Sequence, residues 1–257
     1  MIVDGKKIAE EILQELEEER QGLPPILKLG VVVGRGDESS ASFVRIKERV
    51  AERLRIVVVR EEIQTTEQAL RAIDRLYRTA QGIIVQLPLP AGRQGSPGVD
   101  TERVLQALPK ERDIDFTNAP VAMAVEEVLK HTKTKVKGKK AVVVGYGRLV
   151  GAPAAELLKR LGAKVTVLQA SDPLLPLAEA DIVVLGAGSP GLVQPEMLKK
   201  GVVLIDAGTS ESQGKVVGDA APECAEVASF FTPVPGGIGP IAVAMIFRNL
   251  FTLAKAK

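Results

Sequence analysis

The sequence predicts an α/β protein of two units, each with parallel strands laid under crossover helices. Three observations carry that prediction. Short runs of β-branched residues alternate with helix-period segments along most of the chain, the order that lays parallel strands under crossover helices. One alternation, Lys140-Ala141-Val142-Val143-Val144-Gly145-Tyr146-Gly147-Arg148-Leu149-Val150-Gly151 and then Ala152 to Leu161, reads as strand, glycine turn and apolar helix. A lysine-rich connection, Lys130 to Lys139, separates two sets of such alternations.

The totals bound what the chain can be. Its 257 residues suffice for one large or two modest domains. With 46% hydrophobic and 26% charged residues it has the composition of a soluble globular protein. A net charge of +2 argues against a nucleic-acid-binding face. A single cysteine, Cys224, excludes an internal disulfide and fits a reducing compartment. A single histidine, His131, argues against a histidine-ligated metal, and no metal is expected. It lies among Lys130, Lys133, Lys135, Lys137, Lys139 and Lys140, which read as a solvated linker. The amino-terminal residues lack the apolar core of a signal peptide, and no apolar run reads as long enough to cross a bilayer. The expectation is a cytoplasmic protein without a membrane partner.

Asp4 caps a first helix whose apolar face is Ile8, Ile12, Leu13 and Leu16, and Gln21 to Pro25 ends it. Ile26 to Val33 reads as a buried strand, and Gly34 to Glu38 as a turn. Ser39 or Ser40 then caps a helix carrying Phe43, Val44, Ile46, Lys47, Val50 and Leu54. Ile56 to Val59 is a second strand. Thr65 or Thr66 caps a helix bearing Leu70, Ile73, Leu76 and Tyr77. Gly82 to Val85 is a third strand, ending in Gln86-Leu87-Pro88-Leu89-Pro90. Ala91 to Gly98 reads as a flexible insertion and Val99 to Leu108 as a short helix. Pro120 to Leu129 is a helix leading out of the first unit. Beyond the glycine turn, strands are expected at Lys164 to Leu168, Asp181 to Leu185, Val202 to Asp206, Lys215 to Val217 and Ser229 to Phe231, with a closing helix from Ile241 to Lys257.

Two places invite chemistry. Gly145 and Gly147 let backbone approach a pyrophosphate and leave a helix amino terminus aimed at it. The spacing Gly-x-Gly-x-x-x-Gly departs from the strict dinucleotide fingerprint, and a turn with packing glycines alone is the plainer alternative. The flanking strands and helices favour the nucleotide. Elsewhere, Phe43 and Lys47 are four residues apart and project from one helix face. A ring beside an ammonium suits a flat, conjugated substrate that needs a proton donor, although a surface lysine packed on a core phenylalanine gives the same pattern.

The segments Gln86 to Pro90 and Thr232-Pro233-Val234-Pro235-Gly236-Gly237-Ile238-Gly239-Pro240 resemble the two signatures of the bifunctional methylenetetrahydrofolate dehydrogenase/cyclohydrolase family. Ser40 to Lys47, Asp113-Ile114-Asp115, Gly145 to Gly151, Asp206-Ala207-Gly208 and Gly218-Asp219 fit in the same order. The resemblance implies a folate-binding catalytic domain, 1–119 with 235–257 returning to it, and a Rossmann-like NAD(P)-binding domain, 120–234. It implies Lys47 as catalytic lysine, Gln86 as its partner, and Asp115 holding the pterin. Phe43, Leu87, Pro235, Gly236 and Gly237 would line the folate site. Gly145, Tyr146, Gly147, Arg148, Gly151, Ala170, Ser171 and Thr209 would meet the cofactor, NADP or NAD. A homodimer follows from the same resemblance.

The chain departs from that pattern at three places. The family has tyrosine where Phe43 stands. A longer segment with a Pro-Cys-Thr-Pro motif is replaced by Phe116-Thr117-Asn118-Ala119-Pro120. Arg-Ser after the first turn glycine becomes Tyr146-Gly147, and the next strand ends in Gln169-Ala170-Ser171, with neither a basic nor an acidic residue immediately at its end. Cofactor choice therefore stays open on sequence. The implied reactions are oxidation of 5,10-methylenetetrahydrofolate to the methenyl form and hydrolysis of that to 10-formyltetrahydrofolate. The first needs placement and a hydride acceptor, the second a proton carrier. A folate binder that has lost turnover and a shikimate-type dehydrogenase are the competing readings.

Overall fold

The computed structural model describes residues 1–36, 38–92, 98–212 and 215–256. Of the expected insertion at Ala91 to Gly98, residues 93–97 lie outside the described residues, as does Asp37 of the turn before the second helix. The chain divides into two compact units, one of Leu13–Asn118 with Ile246–Lys257, the other of Met1–Ile12 with Ala119–Met245.

In the first unit a parallel sheet has the order β2-β1-β3, with β1 at Lys28–Gly34, β2 at Val57–Ile63 and β3 at Gly82–Val85. β1 is the middle strand, and its apolar run Leu29 to Val33 is buried throughout, as a strand covered on both faces requires. β2 runs four residues beyond the expected Ile56 to Val59. Its charged half is hidden from a search for apolar runs because it is an edge strand. There Glu61 meets Arg75 at 2.7 Å, and Arg60 meets Glu62 at 3.0 Å, charges that suit an exposed edge.

Helices α2 (Glu38–Arg53), α3 (Thr66–Thr79) and α4 (Thr101–Ala107) follow the strands. Thr65 caps α3, its hydroxyl accepting from Gln68 N at 3.2 Å, and Asp100 caps α4 through Arg103 N at 3.0 Å. α3 buries Ala69, Ala72, Ile73 and Leu76, whereas Tyr77, expected on that face, is exposed beneath the Arg112 guanidinium.

The second unit holds a five-stranded parallel sheet, β10-β7-β6-β4-β5, with β4 at Lys140–Val144, β5 at Lys164–Leu168, β6 at Ile182–Leu185, β7 at Val203–Asp206 and β10 at Phe230–Thr232. A hairpin of β8 (Ser210–Ser212) and β9 (Lys215–Val217) stands apart from it, and its first strand has no counterpart in the sequence reading. β4 lies between β5 and β6, so the strand order reverses at its carboxyl end. That is where α/β sheets open a crevice for ligands. α5 (Pro120–His131), α6 (Gly151–Arg160) and a one-turn α7 (Cys224–Val227) belong to this unit.

α1 (Gly5–Glu19) and α8 (Ile238–Lys255) are each shared between units. Asp4 caps α1, its carboxylate accepting from Lys7 N at 3.0 Å. α8 begins three residues before the expected Ile241 because Pro240 falls in its first turn, where a missing N–H is tolerated. By length and composition α8 could cross a membrane, against the expectation that no run is long enough. Many of its apolar side chains, among them Phe247, Leu250 and Phe251, are buried inside the protein.

Candidate active site and dinucleotide turn

α2 places a lysine where a core residue belongs. Its buried stripe is Ser40, Val44, Lys47, Ala51 and Leu54, a helical three-and-four spacing with two polar members. Phe43 and Ile46 of the same helix are exposed. The helix already starts at Glu38, ahead of both expected cap positions. Ser40 lies in the first turn, and its hydroxyl faces Pro88 O at 3.5 Å.

Lys47 is 7% exposed, and its ammonium donates to Gln86 Oε1 at 2.5 Å. Gln86 stands just beyond the end of β3. It is held by its backbone N–H to Val32 O and by Nε2 to Leu87 O at 2.7 Å, which turns its carbonyl oxygen toward the lysine. Asp115 is the third member. Its loop runs out beside β3, where Ile83 N donates to Arg112 O at 2.7 Å.

The loop's shape comes from Asp113, whose buried carboxylate accepts from Asp115 N, Phe116 N, Thr117 N and the Thr117 hydroxyl at 2.8 to 3.0 Å. Asn249 of α8 clamps the loop's two ends, Nδ2 donating to Ile114 O at 3.0 Å and Asn118 O at 2.7 Å. The short Phe116 to Pro120 connection is thus firmly held. The sequence reading missed Asn249 altogether. The Asx pattern of Asp113 and Thr117 was there to be seen.

Burial pushes the Lys47 ammonium below the ordinary lysine value, while the Asp115 carboxylate pulls it back up. Burial likewise raises Asp115, against the pull of Lys47 and with help from Asp113. Each group favours the charged form of the other. A lysine so placed gives up its proton at a lower pH than an ordinary lysine, with Gln86 fixing its direction.

In the other unit, the glycine turn has the features a pyrophosphate needs. Gly145 adopts φ +86°, and a Cβ there would fall 2.4 Å from Gly186 O. Gly151 brings the start of α6 against Gly145 O, and open space surrounds the position a Cβ of Gly147 would take. No side chain caps α6, but Ala152 N already donates to Gly147 O at 3.1 Å and Pro153 has no N–H, so any ligand would meet the start of the helix chiefly at Gly151. Tyr146, Arg148, Ala170, Ser171 and Thr209 are exposed at the carboxyl ends of β4, β5 and β7. Pro235, Gly236 and Gly237 belong to this unit as well, with Gly237 N bonded to Pro233 O at 2.7 Å. Among the described residues no group of three or more His, Cys, Asp or Glu side chains is arranged to hold a metal.

Two buried carboxylates build the loops beside this turn. Asp219 accepts from Ala187 N, Gly188 N and Ser189 N at 2.6, 3.1 and 2.7 Å. Asp206 accepts from Gly208 N and Ala220 N, each at 2.9 Å. They interlock: a Cβ on Gly208 would strike the Asp219 carboxyl at 2.2 Å, and one on Gly218 would strike Asp206 at 2.1 Å. Burial raises the Asp206 pKa to about 6 despite its amide donors.

Residues 3–115 match the tetrahydrofolate dehydrogenase/cyclohydrolase catalytic domain, and residues 119–257 match the NAD(P)-binding domain of the same family. The chain belongs to the tetrahydrofolate dehydrogenase/cyclohydrolase family. It is 35% identical to a bifunctional protein FolD of Staphylococcus epidermidis, over all of this chain and 97% of that protein. Among solved structures, the Campylobacter jejuni bifunctional FolD superposes with a TM-score of 0.91 at 28% identity, covering 100% of this chain and 99% of that one. The Trypanosoma brucei FolD, complexed with NADP and an inhibitor, gives 0.90 at 31% identity, covering 100% and 97%. The α/β fold with its Rossmann-like part is therefore the family's, as the sequence motifs implied.

Proposed function

We propose that this chain oxidises 5,10-methylenetetrahydrofolate to the methenyl form with NAD(P) and hydrolyses the methenyl form to 10-formyltetrahydrofolate. The observation that carries the reading is the buried Lys47–Gln86 pair beside Asp115, at the strand ends of a family catalytic domain. Asp115 accepts from the amino and ring N–H groups of the pterin, which match a carboxylate's two oxygens. Phe43, exposed one turn before Lys47, stacks on the flat ring system, and Leu87 borders it. Pro235, Gly236 and Gly237 are the folate-lining backbone positions that the family signature supplies.

A bound nicotinamide supplies the hydride acceptor for the first step. The departing hydride leaves a cation that the neighbouring nitrogen stabilises, so the protein's task there is placement. In the second step water adds to the methenyl carbon. Neutral Lys47 takes a proton from that water and returns it to the nitrogen released as the C–N bond breaks, and the proton of the adduct's remaining hydroxyl passes to solvent as the formyl C=O forms. Gln86 orients the lysine throughout.

The domains take these roles as residues 1–119 with 235–257 for folate and 120–234 for the dinucleotide, the latter at Gly145, Tyr146, Gly147, Arg148, Gly151, Ala170, Ser171 and Thr209. The protein works in the cytoplasm as a homodimer. The firm hold of Asp113 and Asn249 on the shortened loop favours turnover over a folate binder that has lost it.

An absorbance assay with 5,10-methylenetetrahydrofolate and either dinucleotide tests the reading, following reduced nicotinamide and methenyl compound together. Both signals are expected, with methenyl compound decaying faster than it does without protein. Absence of cofactor reduction would overturn the dehydrogenase assignment. A Lys47→Ala protein that hydrolyses the methenyl compound at the full rate would overturn the role of the lysine.

A further inference from the structure

The end of β5 carries information on which dinucleotide this turn accepts. Gly145 N donates to Leu168 O at 2.8 Å, so the glycine turn leaves the sheet directly beside the last residue of β5. The residues that follow Leu168 therefore border the place where a Rossmann-like turn holds the adenosine ribose. A 2′-hydroxyl there calls for a hydrogen-bond acceptor, and a 2′-phosphate calls for a cation.

What stands there is Gln169, Ala170, Ser171 and Asp172, all exposed. Asp172 escaped the sequence reading because it lies four residues past the strand. The chain folds it back: its carboxylate accepts from Gln169 N at 2.8 Å, and its own N–H donates to Gln169 O at 3.0 Å. The carboxylate is thereby fixed at the strand end. The lysines of these strands, Lys140 and Lys164, are their first residues, about 13 Å away at the amino-terminal ends of the strands. In the turn itself Tyr146 and Gly147 carry no charge. Arg148 is the one basic residue of 145–151 and 169–172, and it already has a partner within the protein.

We infer that this enzyme selects NAD over NADP, with Asp172 and the neutral Gln169-Ala170-Ser171 segment as its specificity determinants. The inference rests on the dehydrogenase reading for its biological meaning and on the fold for its geometry. A 2′-phosphate brings nearly two negative charges to a fixed carboxylate, with no lysine or arginine of the strand-end segment to offset them. A ribose hydroxyl finds acceptors instead, in the Asp172 carboxylate and the Gln169 and Ser171 side chains.

Calorimetric titration of the full chain with NAD and with NADP, in the absence of folate, reads the choice directly. NAD is expected to bind at least tenfold more tightly, and kcat/KM should follow the same ratio. Ser171→Arg combined with Asp172→Ser should shift the affinity ratio toward NADP by tenfold or more. Equal or tighter NADP binding by the unaltered protein would overturn the inference. So would a double variant whose ratio stays put while both dinucleotides still bind. NADP binding that collapses in Arg148→Ala would reassign the phosphate to Arg148. Dinucleotide binding without methenyl product would count against the proposed reaction and leave the cofactor choice standing.

Discussion

The two units bury acidic side chains in opposite ways. In the unit built on β4 to β7, Asp219 and Asp206 are answered by backbone amides, five N–H groups within 3.1 Å. In the unit built on β1 to β3, Asp115 is balanced by another side chain, the buried Lys47. Amides cannot leave, so the first arrangement is architecture and its carboxylates hold loops in place. An ammonium can lose its proton, so the second is chemistry. Asp113, caged by amides two residues before Asp115, shows both kinds side by side.

The contrast breaks most visibly at Lys47. Lys47→Ala should lower methenyl hydrolysis by about 10²–10⁴-fold, the usual contribution of a positioned acid–base group, with little change in stability. The hydrolysis rate should fall as pH drops and the lysine gains its proton, with a midpoint below that of an ordinary lysine. Lys47→Arg, which cannot lose its proton, should lose the rate and the limb together.

Asp219→Ala should do the reverse, costing about 3–5 kcal/mol of stability by leaving three amides without their acceptor. Urea titration measures it, and an effect below about 1 kcal/mol would refute the architectural role.

A smaller effect is expected at Asp206. Its folded pKa of about 6 lies above the unfolded value of 3.8, so the folded state binds the extra proton. Stability from this group is full below about pH 4 and lost as pH rises through 6, about 3 kcal/mol in all. Wild type minus Asp206→Asn, followed by denaturant titration from pH 4 to 7, isolates that slope. A flat difference would place the carboxylate's pKa at its ordinary value.

The smallest effect is expected from Phe43→Tyr. At an exposed position it should move stability by less than about 0.5 kcal/mol. By restoring a hydroxyl one turn from Lys47 it should raise hydrolysis by less than about tenfold and leave the dehydrogenase step unchanged.

The sequence made the strand framework legible where strands are buried. β3 and β5 fall on their expected residues, because a run such as Gly82 to Val85 is apolar on both faces and ends in turn-forming residues. It hid whatever depended on contact across the chain. The carboxylate of Asp219 serves amides some thirty residues earlier, and Asn249 serves carbonyls more than a hundred residues earlier, with no local period to mark either. The charged half of β2 was hidden for another reason, since edge strands mix with solvent and lose the apolar signal. Lys47 was assigned through the family resemblance, since its spacing from Phe43 alone fitted a surface lysine, and its depth was not foreseen. A helix wheel assigns a lysine to the outside, and only the Ser40–Val44–Lys47–Ala51–Leu54 stripe reverses that.

The clamp of Asn249 on the Asp115 loop also bears on how the protein is made. The loop is translated more than 130 residues before the amide that secures it. At ordinary elongation rates of about 5–20 residues per second, roughly 7 to 27 seconds separate the two. Through that interval, and until α8 has cleared the ribosome, Asp115 lacks one of its two restraints. A nascent chain can thus fold its sheets early while its acid–base pair stays unassembled until translation is nearly over.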